Sequence, residues 1–222
     1  MTYNISQLKN NINFYKQYLM KNKTIILGIT GSIATGKSTI INKLLNEFNP
    51  EYCDADKLVH TLYEPGKAAY HRIIDMFGKG IIDNKTKYID RQKLGGIVFK
   101  DKNSMKKLTN AIGNIGIEVK NIVDSWIADN KKIGIVEAVN LIEANYIAWC
   151  DEVWLFKVDD TIALERLKNR NNLSQNEAEK RIKSQTPWDK RIDYANFTID
   201  TDGNIDEVYT KVKKLYLDLI KI

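Results

Sequence analysis

The segment GSIATGKS, residues 31–38, decides the fold of this 222-residue chain. It fits the pattern G-x-x-x-x-G-K-[ST] without a gap. Glycines allow backbone conformations that other residues avoid, so such a loop can turn its N–H groups inward around phosphate oxygens. The helix that follows would direct its positive N-terminal end at the same anion. The alternative is a glycine-rich turn with an incidental lysine, but the flanking sequence argues against it.

That flanking sequence supplies the context that the loop requires. A short apolar, β-branched run at 24–29 has the character of a buried strand, and 37–47 has that of a helix. Lys37, expected to be exposed in the loop, could reach the β- and γ-phosphates of ATP, and the Ser38 hydroxyl could ligate Mg²⁺. The residues expected to bind ATP are Gly31, Ser32, Ile33, Ala34, Thr35, Gly36, Lys37, Ser38 and Thr39.

Strands and helices alternate along the rest of the chain, which predicts a parallel sheet flanked by helices. The strands are expected at 24–29, 51–53, 133–138, 152–158 and 197–200. Residues 57–130 look mainly helical, with breaks predicted at Pro65-Gly66, Gly78 to Gly80 and Gly95-Gly96. The predicted fold class is therefore α/β of the P-loop NTPase type, with a helical insertion and a helical lid. An N-terminal helical extension is expected at 1–22, ahead of a domain covering 23–222.

Two acidic residues, Asp54 and Asp56, follow the second predicted strand. Ligands of open α/β sheets bind at the carboxyl ends of the strands, so these carboxylates could act on a phosphate acceptor. One could hold Mg²⁺ through water and the other could accept a proton from an attacking hydroxyl. The alternative is a helix cap, since aspartate is a favoured N-cap residue.

A basic, charge-rich helical hairpin is predicted at about 161–191 and is typical of the lid of small-molecule kinases. Arg166 and Arg170 lie four residues apart, on one helical face. Arginine suits a lid because its planar guanidinium grips phosphate through two hydrogen bonds. The alternative is a solvated helix whose charges pair locally.

Composition excludes several classes of protein. The 34 basic and 28 acidic residues give a net charge of +6, and the basic residues are dispersed, so no nucleic-acid partner is expected. No run approaches the length of a membrane span. The two cysteines, Cys53 and Cys150, fit a reducing compartment, and the expected location is the cytoplasm.

Together these features resemble dephospho-coenzyme A kinase. The similarity covers most of the chain after residue 23, and the later segments are more selective than the loop, which many kinases share. The matching segments are LGITGSIATGKST (27–39), CDAD (53–56), EPGKAAY (64–70), FGKGII (77–82), IDRQKLGGIVF (89–99), the region of Glu143, RLKNR (166–170), RIKSQ (181–185) and ANFTIDTDGN (195–204).

The resemblance implies a reaction and a set of roles. The family phosphorylates the ribose 3′-hydroxyl of dephospho-coenzyme A with ATP and Mg²⁺, in the last step of coenzyme A synthesis. Asp56 would be the general base, and Asp54 a neighbouring acid on the metal or substrate side. Arg166 and Arg170 would fall in the lid, near the ATP phosphates and adenine, with Arg166 taking part in catalysis and Arg170 in ATP binding. The acceptor would bind in the helical region 57–130, and the residues implied to bind it are Asp54, Asp90, Arg91 and Glu143.

The sequence departs from the family at several positions. The family usually has arginine at His60, His-Pro at Gly113-Asn114, Pro-Leu at Val139-Asn140 and aspartate at Asn196. A related kinase for a nucleoside or nucleotide therefore stays an alternative. A second alternative is a non-catalytic nucleotide-binding or nucleic-acid-associated protein, for which the net charge is the only support.

Overall fold

The computed structural model describes residues 23–171 and 174–221, without the side chains of 170 and 171. The predicted N-terminal extension, 1–22, lies outside these residues. Five strands form one sheet in the order β2-β3-β1-β4-β5. The strands are β1 (Ile25–Gly31), β2 (Glu51–Asp54), β3 (Ile133–Glu137), β4 (Glu152–Lys157) and β5 (Phe197–Asp200). The pairings of β1 with β3, β1 with β4 and β4 with β5 are parallel, so the predicted fold class is confirmed.

Helices connect these strands. They are α1 (Lys37–Phe48), α2 (Ala55–Thr61), α3 (Ala68–Phe77), α4 (Arg91–Val98), α5 (Lys102–Ile112), α6 (Ile115–Ala128), α7 (Asp160–Asn171), α8 (Gln175–Lys183) and α9 (Ile205–Leu219). Three 3₁₀ segments, which the sequence analysis did not predict, cover Lys79–Ile81, Tyr146–Trp149 and Trp188–Tyr194. Within the described residues, no helix is long and apolar enough to cross a membrane.

The chain divides into two compact units, and the first contains the sheet. Of the described residues, it comprises 23–53 together with those from 122 onward. Its core joins the central strands to α1 and α9 through fully buried side chains such as Leu27, Leu44 and Trp154. Gly134 of β3 packs directly against Trp126: a Cβ atom there would lie 2.1 Å from Cε3 of the tryptophan. Only glycine fits that position.

The second unit, Asp54–Asn121, is helical and has its own core. The predicted helix break at Gly95-Gly96 is wrong, because α4 runs through both glycines. Each glycine costs a helix about 1 kcal/mol, which two other interactions offset. The Asp90 carboxylate caps the N-terminus by accepting from the N–H groups of the second and third helical residues, and Leu94 and Val98 are buried on one face. The acceptor-binding role predicted for 57–130 stays a prediction.

Candidate active site

The segment 31–38 forms a tight loop between β1 and α1. A Cβ atom on Gly31 would lie 2.6 Å from the carbonyl oxygen of Phe156, so a larger residue would push β1 away from β4. Gly36 has φ of 71°, in the left-handed region that favours glycine, and α1 begins at the next residue. Ala34 also has positive φ, at 65°. These conformations turn the chain sharply at the carboxyl end of β1, as a phosphate-binding loop requires.

Lys37 is buried, contrary to the expectation that it is exposed. It is 8% exposed, and its Nζ lies 2.5 Å from Oε1 of Glu137, the last residue of β3, which is 4% exposed. The hydroxyl of Tyr52 on β2 donates to the other oxygen, Oε2, of the same carboxylate. Lys37 is therefore held because β3 lies beside β1 in the sheet and β2 lies beside β3. The side chain that should meet phosphate has a buried counter-ion.

The next two residues of α1 face the solvent. Ser38 and Thr39 are exposed in its first turn, and the N–H of Thr39 donates to the carbonyl of Gly36 at 3.0 Å. The Ser38 hydroxyl is thus accessible to a cation beside a bound phosphate. Thr35 is buried, and its hydroxyl donates to the carbonyl of Ser32 at 3.0 Å, which closes the loop from within.

Arg166, predicted to act on phosphate, lies against this loop. Its guanidinium donates to the carbonyl of Ala34 at 3.2 Å and to the carbonyl of Thr201, just after β5, at 2.7 Å. It ties the loop to the carboxyl end of β5. Arg170 belongs to the same helix, α7, but its side chain lies outside the described residues.

Gln185, which follows α8, also contacts the loop. Its Oε1 accepts from the N–H of Ile33 at 2.8 Å, so one amide of the loop already has a partner. A cavity of about 440 Å³ lies here in the first unit, between the start of the loop and the end of the predicted lid. It is lined by Ser32, Ile33, Val158, Asp160, Ala163, Ile182, Lys183, Gln185, Thr186, Pro187, Trp188 and Asp189.

Glu143, predicted to bind the acceptor, forms a pair with Arg191. Nε and Nη2 of Arg191 donate to Oε1 of Glu143 at 2.9 and 2.7 Å. Burial would raise the pKa of Glu143, but hydrogen bonds from Arg191 and Thr186 hold it below its ordinary value. The Arg191 side chain is 2% exposed. The pair joins the segment after β3 to the 3₁₀ segment 188–194.

Asp54 and Asp56 belong to the second unit and differ in their surroundings. Asp54 ends β2 and caps α2: its Oδ1 accepts from the N–H of Lys57 at 2.9 Å, and Oδ2 pairs with Lys57 Nζ at 2.8 Å. Asp56 is exposed in the first turn of α2. Burial and the positive charge of Arg91 lower the pKa of nearby His60, and both aspartates oppose that shift.

The remaining predicted residues also lie in the second unit. Asp90 is the N-cap of α4, with its carboxylate bonded to the N–H groups of Gln92 and Lys93, while Arg91 is exposed. Gly113-Asn114, where the family usually has His-Pro, line a cavity of about 580 Å³. The other lining residues are Leu58, Thr61, Leu62, Glu64, Lys67, Ala68, Ala69, Arg72, Ile112, Ile117 and Glu118.

Asn196 lies at the amino end of β5, away from the phosphate loop. Its Oδ1 accepts from the N–H of Val153 and its own N–H donates to the Val153 carbonyl, both at 2.8 Å. A neutral amide oxygen serves this strand pairing, so the change from aspartate leaves the pairing intact.

Comparison with known proteins decides the family. The family model for dephospho-CoA kinase matches residues 25–207. The chain belongs to the dephospho-CoA kinase family. It is 38% identical to the dephospho-CoA kinase of Oceanobacillus iheyensis over 88% of this chain and 95% of that protein. The enzyme of Aquifex aeolicus is 34% identical over 88% of this chain and 97% of its own length.

A solved structure of a dephospho-CoA kinase agrees with this assignment. The Campylobacter jejuni enzyme superposes with a TM-score of 0.67 at 26% identity, covering 88% of this chain and 97% of that chain. The predictions of the family, of an ATP-dependent kinase and of phosphorylation of dephospho-coenzyme A are confirmed. The roles of individual residues stay predictions.

Sequence analysis missed Glu137, Tyr52 and Gln185 as contacts of the loop region. Glu137 had a usable signal, since it is an acid at the end of an apolar strand, where ligands of parallel sheets bind. Gln185 lies in the quoted segment RIKSQ and in the predicted lid, but its contact with Ile33 depends on how the chain returns after α8. Tyr52 had no signal, because its contact depends on which strands are neighbours.

Proposed function

We propose that the loop of the first unit binds the phosphates of ATP and that Asp56, in the second unit, is the general base for the acceptor hydroxyl of dephospho-coenzyme A. The observation that carries the part of the proposal concerning ATP, the phosphate donor, is the position of Lys37, which is buried beside Glu137 where α1 begins. A cation and a helix N-terminus at one point together favour an anion there. The family assignment supports the part that concerns dephospho-coenzyme A, the phosphate acceptor.

Lys37 changes partner in this proposal. Its ammonium leaves Glu137, or is shared with it, and binds the phosphate oxygens. Negative charge spreads over those oxygens in the transition state, so a cation already held at this point stabilises it without reorganisation. Arg166 contributes a second cation next to the loop, since its guanidinium lies against Ala34.

Asp56 is a better candidate for the base than Asp54. The Asp54 carboxylate caps α2 and pairs with Lys57, which occupies both of its oxygens. Asp56 is exposed in the first turn of the same helix. It would accept the proton of the 3′-hydroxyl, or orient that hydroxyl, as the oxygen attacks the phosphorus.

Ser38 is the residue that would hold Mg²⁺ in the first unit. Its chemistry fits, because Ser38 offers an exposed hydroxyl in the first turn of α1. Mg²⁺ commonly takes one or two protein ligands together with substrate phosphates and water. When bound, it neutralises charge on the transferring phosphoryl group.

The cavity beside Gly113-Asn114 is the proposed acceptor site of the second unit. Lys67 and Arg72 are among its lining residues, and Glu64 and Glu118 supply acceptors. A coenzyme offers phosphate, amide and hydroxyl groups, which suit such a mixed polar lining. We place the reaction in the cytoplasm, which is supported by the low number of cysteines, two, and by the absence of a disulfide between Cys53 and Cys150.

The test is release of ADP by the purified chain with dephospho-coenzyme A, compared with a panel of nucleosides and nucleotides. Turnover with dephospho-coenzyme A supports the proposal. Turnover restricted to a nucleoside would identify a related small-molecule kinase. Absent turnover combined with steeply salt-dependent nucleic-acid binding would favour the non-catalytic alternative.

Substitution of the acids separates their roles. Asp56→Asn should lower kcat at least a hundredfold, the usual effect of losing a general base, while ATP still binds. Asp101→Asn is the matched control, because Asp101 caps α5 in the same unit and asparagine caps a helix equally well. Loss of ATP affinity in Asp56→Asn, with kcat intact, would assign Asp56 to the metal.

A further inference from the structure

We propose that Tyr52 is a positioning residue for ATP binding, because its hydroxyl holds Glu137 when Lys37 moves to phosphate. The three side chains form a connected set in the first unit: Lys37 Nζ bonds one carboxylate oxygen of Glu137 at 2.5 Å, and the Tyr52 hydroxyl donates to the other. The inference rests on the proposed function, since it requires Lys37 to bind ATP.

Because Lys37 and Glu137 are buried, each charge depends on its partners in the protein. The side chains of Lys37 and Glu137 are 9% and 5% exposed, so water does little to stabilise either charge. Without nucleotide, each ion compensates the other. When Lys37 turns to phosphate, Glu137 loses part of that compensation while staying buried. A buried carboxylate that loses a partner is costly unless other donors remain.

Tyr52 is such a donor, and it bonds the oxygen that Lys37 does not. Its hydrogen bond can therefore persist when Lys37 changes partner. The bond stabilises Glu137 more in the nucleotide-bound state, because there the carboxylate depends on it more. Removing the hydroxyl should consequently weaken ATP binding.

The effect of losing the Tyr52 hydroxyl on KM and kcat depends on the stages of the reaction at which Lys37 contacts phosphate. Lys37 contacts phosphate in both the ground state and the transition state, so Tyr52 supports both equally. Loss of uniform binding raises KM and leaves kcat unchanged. A loss of general stability would not produce this selective change in KM for ATP.

The chain contains a matched control in Tyr209. Its hydroxyl donates to Glu47, which also pairs with Lys213, so the same three residue types meet on α1 and α9. Glu47 lies near the far end of α1 from Lys37. Tyr209→Phe removes an equivalent hydroxyl without touching the lysine of the loop.

The experiment compares Tyr52→Phe with Tyr209→Phe in the kinase assay and in calorimetric titration with Mg-ATP. Tyr52→Phe should raise KM and Kd for ATP about tenfold, just below the full contribution of one hydrogen bond to a charged group because the bond also exists without nucleotide, with kcat within about twofold. Tyr209→Phe should change neither. If the two variants bind ATP equally well, the inference is overturned.

Two further variants make the result specific. In a Glu137→Gln background, Tyr52→Phe should have little added effect, because the charge it compensates is gone; an undiminished effect would contradict the inference. If Tyr52→Phe fails to fold, Tyr52→Met fills a similar volume and also lacks the donor. Lys37→Met tests the underlying proposal. If Lys37→Met binds ATP like the wild type, the proposed function fails. If Lys37→Met loses ATP binding while Tyr52→Phe binds ATP like the wild type, only the inference about Tyr52 fails.

Discussion

Replacing Lys37 by alanine should destabilise the chain even without nucleotide. The substitution leaves Glu137 buried, at 4% exposure, with its ammonium partner gone. Removing one partner of a buried ion pair costs about 3–5 kcal/mol. The Tyr52 hydroxyl still donates to the stranded carboxylate, so we expect the lower end, about 3 kcal/mol.

This loss is measurable by urea unfolding. With a slope of about 2–3 kcal/mol/M, the midpoint should fall by about 1–1.5 M. All four tryptophans of the chain lie outside the second unit, so their fluorescence reports unfolding of the unit that contains the pair. Lys37→Ala combined with Glu137→Gln should recover part of the loss, since the buried charge is removed with its partner.

Lys43→Ala is the control on the same helix. Lys43 pairs with Asp206 at 2.9 Å, but the two side chains are 39% and 74% exposed, and an exposed pair contributes at most about 1 kcal/mol. If Lys37→Ala shifts the midpoint no more than Lys43→Ala does, the buried pair is absent in solution. Lys37 would then be exposed, as the sequence suggested.

Three more predictions concern stability and reactivity. Gly134→Ala should lower the unfolding free energy by about 3 kcal/mol in a urea titration, because its Cβ would meet Trp126 at 2.1 Å, whereas Gly96→Ala, with open space around its Cβ, should not destabilise. Burial raises the pKa of Cys150 to about 12, so native protein at pH 8 should be alkylated there far more slowly than urea-unfolded protein; equal rates would contradict this. Burial lowers the pKa of His60, so the unfolded chain binds that proton more readily. Stability should therefore fall as the pH drops below about 6.5, and His60→Gln should flatten the decline in pH-dependent melting curves.

Local interactions made some features predictable. The phosphate loop is eight consecutive residues whose spacing alone specifies its geometry, and α1 follows from the helical pattern directly after it. Strand β5 was predicted with its observed bounds, because a short β-branched run between turn residues is also a local signal. Local propensity failed at Gly95-Gly96, where burial of Leu94 and Val98 outweighed the cost of two glycines.

The sequence by itself determined the fold class, a parallel sheet flanked by helices, and its segments identified the family; phosphate binding by residues 31–38 stays a prediction. Only the tertiary structure decided what surrounds that loop. Lys37 meets Glu137 across 100 residues of sequence, and Ile33 meets Gln185 across 152. Such pairs depend on the order of strands in the sheet and on the path of the chain back to it. No local pattern encodes either, because each is fixed by how the whole core packs.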